Sequence, residues 1–527
     1  MSGLEGTSLL VRLALRRDRV RLPVWVVALL GVTWLSADAM GTTFPTQRSI
    51  DAYAASLAAS PAVIAMSGPP IALDTLAGIV INKIAFTSIL GVALLTVLTV
   101  VRHTRAEEEE GRSELLRATV VGRYSGGTAA LAVATLVAMA VGVGTALALV
   151  AVDVPASGSW LFGMSVTAVG VFFAAVALVA AQVFTHARTA LGVTLAVLGA
   201  AYLVRAAGDV REDFLVWLSP IGWSQATHPL GDERWWPLVV SAAASVLLVL
   251  GAVWLADRRD VGAGIVAPRD GAGSASPLLS GPIGLAFRLQ RGALIGWAAG
   301  LFVLSAAVGS LSRAVEDMAE GNPVLSDYLA VTGEGSLTDT YFSTMLLILA
   351  LLSSAFAVSS ALRLRSEETS GRLESLLATG LSRTRWLLGS LAATLAGTVA
   401  LLVVSGLGLG LTYGLVISDA TQPLRMAALT VVYAPAALAP AALAVLLVGW
   451  LPRAVAVAWL VLGYCLVLGW LGGLLSPPRW VDALSPFWHT PAVPVESVEL
   501  GGPAVIAVGA VLLVAFGCWG LRRRDIG

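Results

Sequence analysis

Lysine is almost absent from this chain. Lys83 is the only one, it lies inside an apolar stretch, and every other basic residue is arginine. A phosphate-cradling P-loop needs a lysine after a glycine-rich turn to reach the nucleotide, so the chain carries no P-loop of its own. Cysteine is nearly as scarce. Cys465 and Cys518 both fall in apolar stretches, with no metal-ligand spacing and no context for a structural disulfide. The four histidines, His103, His186, His228 and His489, are scattered, which leaves a hydrolase without a metal or nucleophile constellation. Charge is thin: 13% of the residues, against roughly 25% in soluble domains. Lys+Arg and Asp+Glu are both 33, so net charge selects no partner and gives no reason to expect nucleic acid.

What fills the chain is hydrocarbon, 57% of the residues, with a mean hydropathy of +0.85. A membrane-spanning helix needs about 20 mostly apolar residues. Runs near that length occur at 24–42, 79–101, 127–152, 159–184, 189–207 and 237–256, then at 293–311, 341–362, 386–416, 426–450, 453–475 and 502–521. The expected fold is an all-α polytopic membrane protein of about 12 transmembrane helices. Residues 4–21 are amphipathic, with Arg12, Arg16 and Arg19 on one face, as in a helix lying along the inner leaflet. A cleaved signal peptide is the alternative there, although the apolar run is long for one. Arginines cluster before the first span, between spans two and three, between the halves and at Arg522–Arg524, while the loops 43–78 and 312–340 hold only Arg48 and Arg313. Both termini should therefore be cytoplasmic.

The chain is also written twice. Arg105-Ala106-Glu107-Glu108-Glu109-Glu110-Gly111-Arg112-Ser113-Glu114 leads to Leu116, Ala118, Thr119 and Arg123; shifted by 260 positions (105 to 365), it superposes on Arg365-Ser366-Glu367-Glu368-Thr369-Ser370-Gly371-Arg372-Leu373-Glu374, with Leu376, Ala378, Thr379 and Arg383. Arg16, Arg19 and Trp25 align with Arg288, Arg291 and Trp297. Leu218-Ser219-Pro220 aligns with Leu484-Ser485-Pro486, and Arg258-Arg259-Asp260-Val261-Gly262 with Arg523-Arg524-Asp525-Ile526-Gly527. The organisation expected is a first six-span half over 1–262, a linker rich in Gly, Ser, Ala and Pro over 263–282, and a second half over 283–527. Six spans per half make the repeat parallel.

In each copy the span before the motif can continue as helix through the glutamates, until Gly111 or Gly371 breaks it. A short helix then starts at Arg112 or Arg372, and Ser382 is placed to cap the next helix. The outcome is a stiff cytoplasmic elbow showing carboxylates, an arginine and a leucine. A solvated turn that merely joins two spans is the plainer reading, but two copies holding the same Gly-Arg-x-Glu argue against it.

These residues resemble the loop between the second and third spans of ABC-2 type (type V exporter-like) permeases. The terminal Arg-Asp-Val/Ile-Gly of each half is similar to the fused polyketide antibiotic and drug exporter permeases of high-GC bacteria. The resemblance implies a permease subunit without enzymatic activity, whose elbows are coupling helices docked on two copies of a separate ATPase subunit. ATP and Mg would bind there, and this chain would hold no cofactor. The implied docking residues are Arg105, Glu107, Glu108, Gly111, Arg112, Glu114 and Leu116, with Arg365, Glu367, Glu368, Gly371, Arg372, Glu374 and Leu376. It also implies a connecting helix at the N-terminus and a short outer hairpin around Ser219-Pro220 and Ser485-Pro486. The expected cargo is a hydrophobic or amphipathic molecule, with Lys83 and the aligned Ser343 as candidates for its path. Lys83 could instead snorkel to the outer headgroups. The alternatives are a major-facilitator-like secondary carrier, for which the only in-span carboxylates considered, Asp38 and Asp153, lie near span ends, and an ABC-type lipid transporter or sensor.

Overall fold

The computed structural model describes all residues except 1–2, 59–60, 113–120, 261, 267–272, 275, 277–278, 280, 313–336, 476–477 and 525–527. The chain forms two compact units, Met1–Gly271 and Ala272–Gly527. Both are helical; among the described residues the one β-bridge joins Phe184 to Val266.

The first unit begins with α1 (Thr7–Arg17) and α2 (Arg21–Thr43), then two short helices, α3 (Gln47–Ala58) and α4 (Pro61–Ser67). Three long helices follow: α5 (Leu76–Glu109), α6 (Ser125–Val150) and α7 (Ala156–Val183). The unit closes with α8 (Ala187–Arg211), the short α9 (Pro220–Gln225) and α10 (Trp236–Asp257). Composition dictates helix here, because lipid offers no partner to a peptide group and only intrahelical bonding satisfies the backbone. Burial then sorts the helices. In α5 and α7 61% of the most apolar window is buried, but only 17% in α2 and α10. The first pair is the centre of the unit; the second presents side chains such as Val239, Leu247 and Leu250 outward. With no hydrophobic drive between helices in lipid, small residues set the closest crossings. A Cβ on Gly142 of α6 would lie 2.3 Å from the Gly163 carbonyl oxygen of α7.

The second unit runs α11 (Pro282–Ser310), α12 (Leu337–Thr369), α13 (Arg372–Leu377), α14 (Arg383–Ile417), α15 (Gln422–Trp450), α16 (Val457–Leu475) and α17 (Gly501–Arg523). Here α12 and α15 are central and α17 peripheral. Gly449 and Gly517 let α15 and α17 touch, as a Cβ on Gly449 would sit 2.2 Å from the Gly517 oxygen.

The duplicated Ser-Pro marks do the same job in both units. Ser219 accepts a hydrogen bond from Ile221 N (3.2 Å), donates to Ala201 O (2.7 Å) and starts α9 with Pro220 behind it. Ser485 accepts from Phe487 N (3.3 Å) and starts a 3₁₀ turn, Pro486–His489. Eleven described helices are long and apolar enough to cross a membrane, and the run expected at 453–475 is helix α16, Val457–Leu475. Pro452 and the turns from Leu451 to Ala456 stop α15 and delay the next helix.

Candidate functional site

The candidate site is the pair of elbows, and each is built from the helix that leads into it. In the first unit α5 remains regular to Val101, loosens into a π turn over Arg102–Ala106 and continues through Glu107–Glu109. In the second, α12 stays α-helical to Thr369. Gly111 (φ 71°) and Gly371 (φ 70°) then turn the chain in the left-handed region, with nothing within 4 Å of an added Cβ. Glycine is thus required there by its dihedral angle, which costs another residue about 1–2 kcal/mol. In the second unit α13 follows at once, and Ser382 caps α14 by accepting from Arg385 N at 3.3 Å.

Both elbows are clamped to the last helix of their own unit. Glu108 bonds Arg259 through both oxygens (Oε1 to Nη2 2.7 Å, Oε2 to Nη1 3.0 Å) and Arg105 through Oε2 (2.7 Å). Arg105 is fully buried and also donates to the carbonyls of Ala181 (Nε 3.0 Å) and Ala263 (3.2 Å), while Arg259 Nε reaches Gln182 Oε1 at 2.7 Å. The second unit repeats the core of this: Arg365 to Glu368 at 2.9 Å and Arg524 to Glu368 at 2.6 Å. The far side of each elbow is pinned too. Arg123 donates to Ala256 O (2.7 Å), and Arg383 to Leu521 O (3.2 Å) and Arg524 O (2.6 Å). Cations there satisfy the orphan carbonyls at the negative end of a helix. The duplicated Arg-Arg at the close of each half has its explanation. Arg258 lies 3.5 Å over the Trp254 ring and Arg523 4.1 Å over Trp519, and the second arginine of each pair holds the glutamate.

The neighbouring carboxylates differ between copies. Glu107 accepts from Arg17 of α1 at 2.6 Å, a bond that raises the arginine's pKa, and sits 3.5 Å from Arg112. Its counterpart Glu367 accepts from the buried indole of Trp386 at 3.1 Å. Glu109 accepts from Ala187 N (2.9 Å) and faces His186 Nδ1 (3.1 Å), so it caps α8 from outside that helix; Thr369, in its place, only bonds its own helix at Arg365 O (3.0 Å). Beside the first elbow, a cavity of about 390 Å³ is apolar along α6, α7 and α10 (Leu131, Leu178, Val249) and charged at Arg17, Glu107 and Arg123. Such a wall and rim suit an amphipathic molecule.

The residues expected at a docking face therefore divide. Arg105 and Glu108, and to a lesser degree Arg365 and Glu368, turn into their own unit, as does Leu373, while Leu376 is half-buried. Gly371, Arg372 and Glu374 are exposed, Arg112 partly so; Glu114 and Leu116 lie outside the described residues. Lys83 stands on an exposed face of α5 with Nζ 4.9 Å from the Tyr53 ring of α3. Ser343 is half-buried and hydrogen-bonds Tyr433.

Two charged clusters escaped the sequence reading. On α8, Arg205 and Asp209 are both about 2% exposed in their side chains and paired at 3.1 Å. Their i, i+4 spacing was the available signal. Between α1 and α2, buried Asp18 meets His103 (2.8 Å) and Arg102 (3.2 Å) of the first elbow. At the aligned place in the second unit stands Gln290, which accepts from Ser360 at 2.5 Å. The contact exists in both halves and is ionic in only one.

Comparison with known proteins bears on the whole chain. The family model described as "Multidrug efflux system permease Rv1217c, C-terminal domain" matches residues 279–522. The multidrug efflux system permease protein Rv1217c of Mycobacterium tuberculosis is 40% identical over 537 aligned positions, which cover 100% of this chain and 96% of the relative.

Proposed function

The chain belongs to the family of the multidrug efflux system permease Rv1217c, and from that premise we propose that it is the membrane subunit of an ATP-driven exporter of hydrophobic or amphipathic molecules. It is a multi-pass membrane protein. In this reading both elbows face the cytosol of a bacterium, each receives one copy of a separate ATPase subunit, and ATP with Mg binds on those partners.

The observation that carries the reading is the clamp. A loop that merely connects two spans has no need of a buried arginine, a doubly bonded glutamate and a second arginine from the far end of its half. A part that is pushed does need them. When an ATPase pair closes on nucleotide, only an elbow rigidly continuous with its helix transmits displacement into the bilayer instead of bending. Arg105–Glu108–Arg259 and Arg365–Glu368–Arg524 tie the elbow to the last helix, and Arg17–Glu107 ties the first to α1. Exposed Arg372 and Glu374, with Arg112, are left to meet the partner. The lack of a P-loop lysine in this chain agrees with that division of labour.

Native mass measurement of the complex from its own host tests the proposal. One chain with two ATPase copies is expected. ATP hydrolysis by the purified chain alone, or transport that persists without any ATPase, would overturn it and favour a secondary carrier.

A further inference from the structure

Helix α8 is held at both ends by charged side chains. At the elbow end, Glu109 supplies the cap that His186, the N-cap residue, does not. At the other end lies the buried Arg205–Asp209 pair. Arg205 Nη2 donates to Ala65 O of α4 at 2.9 Å, and its guanidinium lies 4.4 Å over the Tyr202 ring. Tyr202 itself donates to Met66 O at 2.9 Å. The Gln225 amide of α9, oriented to satisfy both neighbours, donates to Asp209 Oδ2 at 3.1 Å and accepts from Arg205 Nη1 at 3.1 Å. Gly68, at φ 99°, lets the chain after α4 pass so close that a Cβ would run into the Gln225 amide. One buried ion pair therefore binds α4, α8 and α9 together.

Between Ala187 and Arg205 the helix rises about 27 Å, at 1.5 Å per residue. The sequence of the second half repeats neither the carboxylate nor the ion pair, and α16 is tied instead through Tyr464 to Val481 O. Thr369 replaces Glu109, and Leu471 and Leu475 replace Arg205 and Asp209 when α8 and α16 are aligned through Ser219 and Ser485. A buried ion pair adds little net stability over apolar residues, so its value lies in fixing which segments move together.

We propose that α8 is a rod that carries motion from the first elbow to the α4–α9 end of its half, through a joint at Glu109 and a latch at Arg205–Asp209, and that the second half is built without one. The inference rests on the elbow being the driven part of an exporter. Glu109, Arg205 and Asp209 are positioning residues in that motion.

Hydrogen exchange on the full chain in lipid nanodiscs tests the rod without any ATPase. Glu109→Thr installs the second half's residue at an exposed position and should not impair folding. Amides at 187–190 should exchange about fivefold faster, the usual effect of losing a helix cap, and peptides covering 61–68 and 220–225 should loosen as well. Glu109→Gln keeps an acceptor and should remain near the parent chain. Asp209→Asn should loosen the same far peptides, and in the double variant the two effects should not add. Glu109→Thr changing 187–190 alone, or changing nothing, would overturn the rod. That outcome leaves the ATPase reading untouched, whereas failure of the latter shows in the native mass.

Discussion

Glutamate 108 should matter more than its duplicate. In the first unit the side chain of Arg105 is 0% exposed and those of Glu108 and Arg259 are 9% each. In the second, Arg365 is 29% and Arg524 21% exposed around a 9% Glu368. Glu108→Ala leaves Arg105 out of water with carbonyl partners but no counter-charge, beside a second guanidinium. Breaking a buried pair in this way costs about 3–5 kcal/mol, and the carbonyls of Ala181 and Ala263 place this case near the lower end. Glu368→Ala leaves two arginines that water still reaches, a loss of about 1 kcal/mol. With roughly 2–4 °C of melting temperature per kcal/mol for a unit near this size, the expected drops are about 6–12 °C and about 2–4 °C. The assay is loss of monodisperse chain on heating in detergent, read as a ranking of midpoints. Glu108→Gln, which keeps volume and one acceptor, should fall between parent and alanine. Removing Arg259 as well relieves the like-charge contact and should restore part of the loss. Equal shifts for the two alanine variants, or a larger one for Glu368→Ala, would refute the reasoning.

Gly371→Val forces a β-branched side chain to φ 70°, costing at least about 1–2 kcal/mol locally; co-purification of the ATPase subunit should fall about tenfold while the chain still inserts. Ser370→Cys, on the exposed part of the second elbow, should react with a membrane-impermeant thiol reagent only after the inner face is opened. Leu373 is unsuitable for that probe because it is 1% exposed. Lys83→Met removes a contact worth about 0.5–1 kcal/mol at an exposed site and should leave export of neutral and acidic substrates equal. A selective loss of acidic substrates would place Lys83 on the path.

Which features were legible follows from how local they are. The helices could be read because an apolar run of span length has one solution in lipid. The elbow's break could be read because a left-handed turn demands glycine, and Gly111 and Gly371 stand at matching places. The start of α16 lies at Val457 instead of 453, because the turns from Leu451 to Ala456 are a matter of backbone geometry. By sequence the four consecutive glutamates are simply carboxylates shown by the elbow. Three of them meet partners far away in sequence, Arg17 for Glu107, Arg259 for Glu108 and Ala187 N for Glu109, while Glu110 pairs with nearby Arg112.

Composition, periodicity and the internal repeat by themselves determined an all-helical membrane protein with two related halves and an elbow in each, since these depend on neighbours within a turn or two and on the solvent. Tertiary structure decided which carboxylates stay exposed and which are tied into their own unit, and why both halves end in Arg-Arg. It also brought Arg205 and Asp209 together out of water in the first half. The physical reason is distance along the chain. An ion pair between residues 151 positions apart, as in Glu108–Arg259, leaves no periodic trace, and packing alone brings its members out of water together.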